Sequence, residues 1–299
     1  MRKATAAALL MAVAIPAAAA AQSSVRPPTL LPGVRYFESL IADPIEPRFA
    51  IGLVYTNLFD SQGPERQPYT RPPGPGREVQ AMAAVGTTIP LILLQQSEDG
   101  GIVVSAVAGV YARFRIERPS RDDVGQDWTV GMPIEFSWGA TAARLRIVHR
   151  SSHLGDELAV STGARRIEVG GEAVDALFAR KFGALRVYGG AGWIFHSNTD
   201  NTAVLRARAQ PDRYTVQAGG DGVFHPFSNE RLSIVAGADW QSAQRTNWRS
   251  TYAVAGGLRL ESGPREARLV ARFAGGASTI GQFFLTTEQA WSLELFLAN

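Results

Sequence analysis

The stretch Trp128-Thr129-Val130-Gly131-Met132-Pro133-Ile134-Glu135-Phe136-Ser137-Trp138 decides the fold. Alternate residues separate into an apolar row, Trp128, Val130, Met132, Ile134, Phe136 and Trp138, and a polar or small row, Thr129, Gly131, Pro133, Glu135 and Ser137. Successive side chains of a strand point to opposite faces, so one face here is greasy and carries an indole at each end. An apolar face bounded by aromatic rims is what a strand crossing a bilayer requires.

Other segments obey the same rule. Leu145 and Ile147 oppose Arg144 and Arg146, and Leu185, Val187, Trp193 and Phe195 oppose Arg186 and Tyr188. Leu232, Ile234 and Trp240 oppose Arg231 and Asp239, Val254 and Leu258 oppose Arg259 and Glu261, and Leu269 and Phe273 oppose Arg268 and Arg272. Alternation alone leaves a soluble sandwich standing, because there the charged face meets water and the apolar face a second sheet. Connection lengths separate the two. About twelve strands are predicted, over residues 48–57, 78–91, 101–115, 128–138, 140–151, 167–181, 184–195, 213–224, 231–241, 251–262, 266–275 and 288–297. Connections after the odd members are long, at 58–77, 116–127, 152–166, 196–212, 242–250 and 276–287. Those after the even members are short, at 139, 182–183, 225–230 and 263–265, with a longer exception at 92–100. An even strand count with long outer loops and tight periplasmic turns is the bacterial outer-membrane arrangement. The expected fold is therefore all-β: a single closed antiparallel transmembrane β-barrel.

The chain ends fit that setting. Residues 1–21 carry Arg2 and Lys3, an apolar run to Ile15 and a small-residue tail ending Ala19-Ala20-Ala21, the pattern of a secretory signal peptide cleaved near Ala21. Residues 22–47, with five prolines and no strand alternation, are expected to form a periplasmic segment: a short plug, a lid, or a leader to the barrel of residues 48–299. The loop between Asp60 and Arg77 is rich in Pro and Gly. In the last strand Trp291, Leu293, Leu295 and Leu297 alternate with Ser292, Glu294 and Phe296, which resembles the C-terminal signal read by the barrel-insertion machinery, although the chain ends Ala298-Asn299 instead of on an aromatic residue. There is no cysteine, which removes lipoprotein acylation and disulfides. Without the signal, 28 basic residues face 27 acidic ones, so the charge gives no reason to expect nucleic acid as a partner. The partners expected are outer-membrane lipids and the insertion machinery, with no oligomeric state legible. Lys181 is the one lysine left beside many arginines, a bias that would suit phosphate or carboxylate partners but that codon usage explains more simply.

Chemistry concentrates in His149-Arg150-Ser151-Ser152-His153-Leu154-Gly155-Asp156-Glu157. His149 and Ser151 share the lipid face with Leu145 and Ile147 near the outer end of their strand, while Arg150 points into the lumen with Arg144 and Arg146. An imidazole and a hydroxyl two residues apart can work as base and nucleophile. His149-x-Ser151 on the outer face of a barrel resembles, over these few residues, the outer-membrane phospholipase A and lipid A deacylase families, which implies ester substrates in the outer leaflet. A third group to orient the imidazole is not assigned. Asp175 sits on the nominal lipid face of its strand, but hairpin counting pairs His149 with Ile167 or Glu168 and leaves Asp175 too deep. The same stretch also reads as a structural or binding loop of His153, Asp156 and Glu157, or as a divalent-metal set from His149, His153, Asp156 and Glu157. No cofactor motif is present, and no metal is assigned. His196 caps its strand at the outer end.

The lumen face is predicted to hold Arg113, Arg115, Arg144, Arg146, Arg150, Arg186, Arg259, Arg268 and Arg272 with Glu135, Glu168, Glu172, Asp221, Asp239, Glu261 and Glu294, as a salt-bridged plug or a narrow polar passage. The segments Ala42-Asp43-Pro44-Ile45-Glu46-Pro47-Arg48-Phe49 and Ser151-Ser152-His153-Leu154-Gly155-Asp156-Glu157 resemble an uncharacterised bacterial family, domain of unknown function 1207, along nearly the whole mature chain. That resemblance implies an envelope protein and supplies no catalytic residues. Two function classes follow. One is a non-enzymatic barrel, its charged lumen largely plugged, that binds or admits a small polar solute through residues such as Arg144, Arg146 and Arg150. The other is an outer-leaflet acyl-ester hydrolase using Ser151 and His149.

Overall fold

A computed structural model describes residues 28–59, 76–118, 121–162, 166–198, 213–263 and 265–298. The predicted signal peptide, residues 22–27 and most of the loop 60–77 lie outside the described residues. Twelve long strands follow the sequence reading: β2 (Phe49–Thr56), β3 (Glu78–Ser97), β4 (Gly100–Phe114), β5 (Asp123–Trp138), β6 (Thr141–Leu154), β7 (Val169–Phe182), β8 (Leu185–Ser197), β9 (Tyr214–Phe224), β10 (Leu232–Ala243), β11 (Ser250–Ser262), β12 (Arg265–Ala277) and β13 (Thr287–Ala298). Each pairs antiparallel with its neighbours in sequence, and the β13–β2 ladder joins the last to the first, so the sheet is a closed barrel. A two-residue strand, β1 (Thr29–Leu30), adds to β3 at Leu93 and Ile92.

The tight turns include positions where only glycine is at ease. Gly139, Gly183 and Gly263 have φ near 60° (55°, 61° and 61°), the left-handed conformation that closes a two-residue reversal. The expected exception at 92–100 is not a loop: β3 runs on to Ser97, leaving Glu98 and Asp99 as the turn. Two register shifts, between Pro90 and Ile92 and between Leu93 and Gln95, absorb the proline and interrupt the alternation, which is why the strand could not be followed there. At the other rim the long connection after β6 contains a short helix that alternation did not disclose, α1 (Asp156–Thr162). Its Leu158 is fully buried with Leu58, Phe59, Val124, Leu154 and Ile280 in an apolar cluster over the outer mouth.

Among the described residues no helix is long and apolar enough to cross a membrane, so crossing falls to the strands. Trp128, Val130, Met132, Leu145, Ile147, Leu258, Leu269, Leu293 and Leu295 are exposed on the outside, while Arg144, Glu135, Arg186, Asp221, Arg272 and Glu294 are buried inside. A charge can be buried only if paired and hydrogen-bonded, and the pairs are present: Arg186 with Asp221 at 2.6 Å, Arg115 with Glu78 at 2.7 Å, Arg146 with Asp175 at 2.8 Å, Arg272 with Glu294 at 3.0 Å, and Arg113 with Glu288.

Residues 35–48 lie inside this wall. Phe37 and Leu40 pack on Leu177, Ala179 and Tyr188, while Ile41 and Ala42 pack on Val235, Ala255 and Val270. Their polar groups join strands from around the ring. The carboxylate of Glu46 accepts from Arg144 at 2.7 and 3.2 Å. Glu135 accepts from Arg35 at 2.8 Å and from the N–H groups of Tyr36 and Phe37 at 2.9 and 3.1 Å. Asp221 accepts from the Ile41 N–H, and the Ala42 carbonyl accepts from Arg272. Burial alone pushes the Glu46 carboxyl up, and the Arg144 and Arg146 guanidiniums more than reverse this and hold it at about 2. That folded value is below the ordinary one of about 4.3, so the clamp stabilises fully above the ordinary value and is lost as pH falls towards the folded one. Protection of residues 35–48 in hydrogen exchange is expected to hold from neutral pH to about 5 and to decay below about 4, the window fixed by this linkage. Glu46→Gln strands Arg144 and is expected to cost about 3 kcal/mol, read as a lower temperature for loss of the compact electrophoretic form and early exchange of the segment at neutral pH.

Candidate functional site

The antiparallel pairing of β5, β6, β7 and β8 builds a polar cluster on the outer surface of the barrel. Trp128 of β5 is opposite Ser151 of β6, which puts the serine at the level of an exposed indole of the outer rim. Two residues along β6 on the same face, about 7 Å away, His149 pairs directly with Glu172 of β7. Nδ1–H of His149 donates to Glu172 Oε1 at 2.9 Å, and the second carboxylate oxygen takes Nδ1–H of His196 on β8. An ionised carboxylate can only accept, so each Nδ1 carries a hydrogen, and in the neutral form of either imidazole Nε2 is the basic nitrogen. The His149 side chain is 43% exposed and that of His196 60%. Among the described residues Ser151 makes no side-chain hydrogen bond to His149.

Two features of the ladders bring these groups together. The loop carrying α1 lengthens the β6–β7 connection, so His149 meets Glu172 and not Ile167 or Glu168. The faces of β7 are accordingly the reverse of the expectation. Glu172, read as luminal, looks outward, and Asp175, read as outward, faces the lumen, where it takes two hydrogen bonds from Arg146 at 2.8 and 3.1 Å. The second feature is a bulge. Glu172 pairs with His196 but Ala173 pairs with Ile194, so Phe195 is the extra residue, and His196 returns to the outer face beside it. Gly171 allows this close approach, since a Cβ there would lie 2.5 Å from the His196 carbonyl oxygen.

The other expected residues scatter. His153 is exposed opposite Gln126, Asp156 pairs with Arg166 beyond α1, and Glu157 is exposed on that helix. Among the described residues no group of three or more His, Cys, Asp or Glu side chains is placed to hold a metal ion. Arg144 is committed to Glu46, and Arg146 to Asp175 and, at 3.9 Å, to Glu46. Arg150 stays open to the lumen, with Asp175 at 3.7 Å.

A closed barrel with an apolar skin, an ionic interior and tight turns at one end defines an integral outer-membrane β-barrel protein. The chain belongs to the family described as "Protein of unknown function (DUF1207)", which matches residues 9–292. Similar solved structures include outer membrane phospholipase A from Escherichia coli, with a TM-score of 0.51 and 11% identity, covering 85% of this chain and 93% of that one. The Salmonella typhi outer membrane phospholipase dimer with bound calcium gives a TM-score of 0.50 and 11% identity over the same shares. At such identity these are likenesses of fold. No curated protein matches the chain.

If one carboxylate holds both imidazoles, Glu172→Ala is expected to raise the rate of diethyl pyrocarbonate modification at His149 and His196 together, while Asp156→Ala leaves both rates unchanged. Peptide mass spectrometry reads each site, and unchanged rates in Glu172→Ala would separate the histidines from the carboxylate.

Proposed function

We propose that the outer cluster is the site of a lipid acyl-ester hydrolase, with Ser151 as nucleophile, His149 as base and Glu172 orienting the imidazole. The observation that carries this reading is the hydrogen bond from His149 Nδ1 to Glu172, which leaves Nε2 as the basic nitrogen on the face that also bears Ser151. The level of Ser151 on the wall supports it. The ester linkages of a membrane lipid lie between headgroups and hydrocarbon, the depth favoured by the indole of Trp128, which is opposite Ser151 in the ladder. The shared fold with an outer membrane phospholipase bears on architecture alone, so the argument rests on this chain's own residues.

In the forward step His149 Nε2 takes the Ser151 hydroxyl proton as Oγ attacks the ester carbonyl. Collapse of the tetrahedral adduct breaks the bond to the lipid oxygen, which leaves with the proton from His149. Water, deprotonated by the same nitrogen, then releases the acid and restores the serine. Ser151→Ala is expected to abolish fatty-acid release from mixed micelles, and Glu172→Gln to lower it about a hundredfold, within the usual range for a general base. Acyl release that persists in Ser151→Ala ends the proposal.

A second reading, of a barrel that binds a small polar solute, is favoured by a cavity of about 130 Å³ on the outer side of the inner segment, lined by Arg146, Arg150, Asp43, Asp175, Gln217 and Gln241 among others. Arg150 faces it, 42% exposed, with its nearest acid already shared with Arg146. Asp43 on the inner segment is bonded to Gln217 and Gln241 of the wall, and this closes the floor. Such a lumen suits binding of a small anion and not passage. Planar bilayers containing the protein are expected to show no steady conductance, and an ohmic current would overturn the plugged lumen.

A further inference from the structure

At the opposite, periplasmic rim the wall is notched. β2 begins at Phe49 and pairs with β3 only as far as Ala84, and β3 continues to Ser97 with β1 on its edge at Ile92 and Leu93. The chain passes through this notch as it leaves the inner segment for β2. Behind it is a cavity of about 770 Å³, within the range of small-molecule sites. Four guanidiniums line it, Arg35, Arg48, Arg265 and Arg268, against the carboxylates of Glu46 and Glu266. Glu46 is committed to Arg144, Arg35 to Glu135, Arg48 to Glu294 and Arg268 to Glu266, so among the described residues Arg265 is the lining cation left without a counter-charge.

Two donors on this wall have no protein acceptor. Arg48, with a side chain 10% exposed, directs Nη1 to the carbonyls of Asp43, Pro44 and Glu46 and Nη2 to Glu294, yet its buried Nε–H is unpartnered. The Nε–H of Arg268 is also buried without a partner. A buried donor left unmade is costly, and both of these belong to side chains that line the cavity. The cavity also reaches over the rim. Phe49 and Leu297 line it although they are 46% and 59% exposed on the lipid-facing side, and Arg265 follows the tight turn at Gly263 on that same side.

We infer that this notch binds the headgroup phosphate of a phospholipid in the periplasmic leaflet. The phosphate lies among Arg265, Arg268 and Arg48, and the acyl chains run along Phe49 and Leu297. A free anion satisfies the same donors but gains nothing from the two apolar side chains, and this favours the lipid as the source of the phosphate. The site is remote from Ser151, so its test is independent of hydrolysis.

The test is native mass spectrometry of the full barrel in a neutral detergent, titrated separately with phosphatidylglycerol, diacylglycerol and inorganic phosphate. One phosphatidylglycerol per barrel is expected to be retained, with diacylglycerol retained at least about tenfold less, as loss of a charge-assisted contact implies. Arg265→Ala/Arg268→Gln is expected to weaken retention about tenfold or more, with Glu266 keeping Arg259 as a partner at 2.6 Å. Thr88→Trp, which fills the cavity from β3 without removing a charge, is expected to do the same. Folding of each variant is checked by its compact electrophoretic form, and if the arginine variant does not fold, Thr88→Trp carries the decision. Equal retention of diacylglycerol, or retention unchanged by Thr88→Trp, would overturn the inference. So would inorganic phosphate displacing the lipid at equal concentration, since that outcome assigns the donors to a free anion.

Discussion

Inside a bilayer there is no water to satisfy a free amide or carbonyl, and every other feature of this molecule depends on that constraint. The chain meets it by closing the sheet on itself through the ladder between β13 and β2, so the membrane-spanning strands have partners on both sides. Closure then divides the side chains. One row of each strand must be apolar because it faces hydrocarbon, and the other can carry charge only where the interior provides a counter-charge.

The interior is filled on those terms. Isolated ion pairs out of water repay their desolvation poorly, but a pair whose remaining donors and acceptors are also satisfied specifies one arrangement. Residues 35–48 supply what the wall lacks: a carboxylate for Arg144, N–H groups for Glu135 and Asp221, and a carbonyl for Arg272. These contacts reach β5, β6, β9 and β12, which are not all neighbours in the sheet, so the inner segment cross-braces the ring as well as filling it. Buried guanidinium nitrogens without an acceptor remain both on the braced residues Arg144 and Arg272 and at the notch in front of β2, on Arg48 and Arg268.

The outer cluster follows a different logic. A carboxylate and two imidazoles on a lipid-facing wall can persist only at a rim, where headgroups and water reach them, and Glu172 makes them into one hydrogen-bonded unit. Two irregularities place them: a loop helix that sets the register of the β6–β7 hairpin, and a bulge at Phe195 that turns His196 outward. Bulges beside functional groups are common for this reason, since one extra residue re-aims a side chain without breaking the sheet.

The sequence by itself determined the barrel, its strand number, the outward row from Trp128 to Trp138, and the shared face of His149 and Ser151, because these depend on alternation with a period of two and on turn chemistry, both local. The tertiary structure alone decided which carboxylate meets His149. Glu172 and Asp175 are an odd number of residues apart and so must face opposite ways, and both faces of their strand offer apolar residues, so nothing local says which is outside. The sequence left residues 35–48 open between plug, lid and leader, because their partners, Arg144, Glu135, Asp221 and Arg272, are distant in the chain and become neighbours only once the ring has closed. Periodicity records the direction in which a residue points, whereas register and long-range pairing set what it meets there.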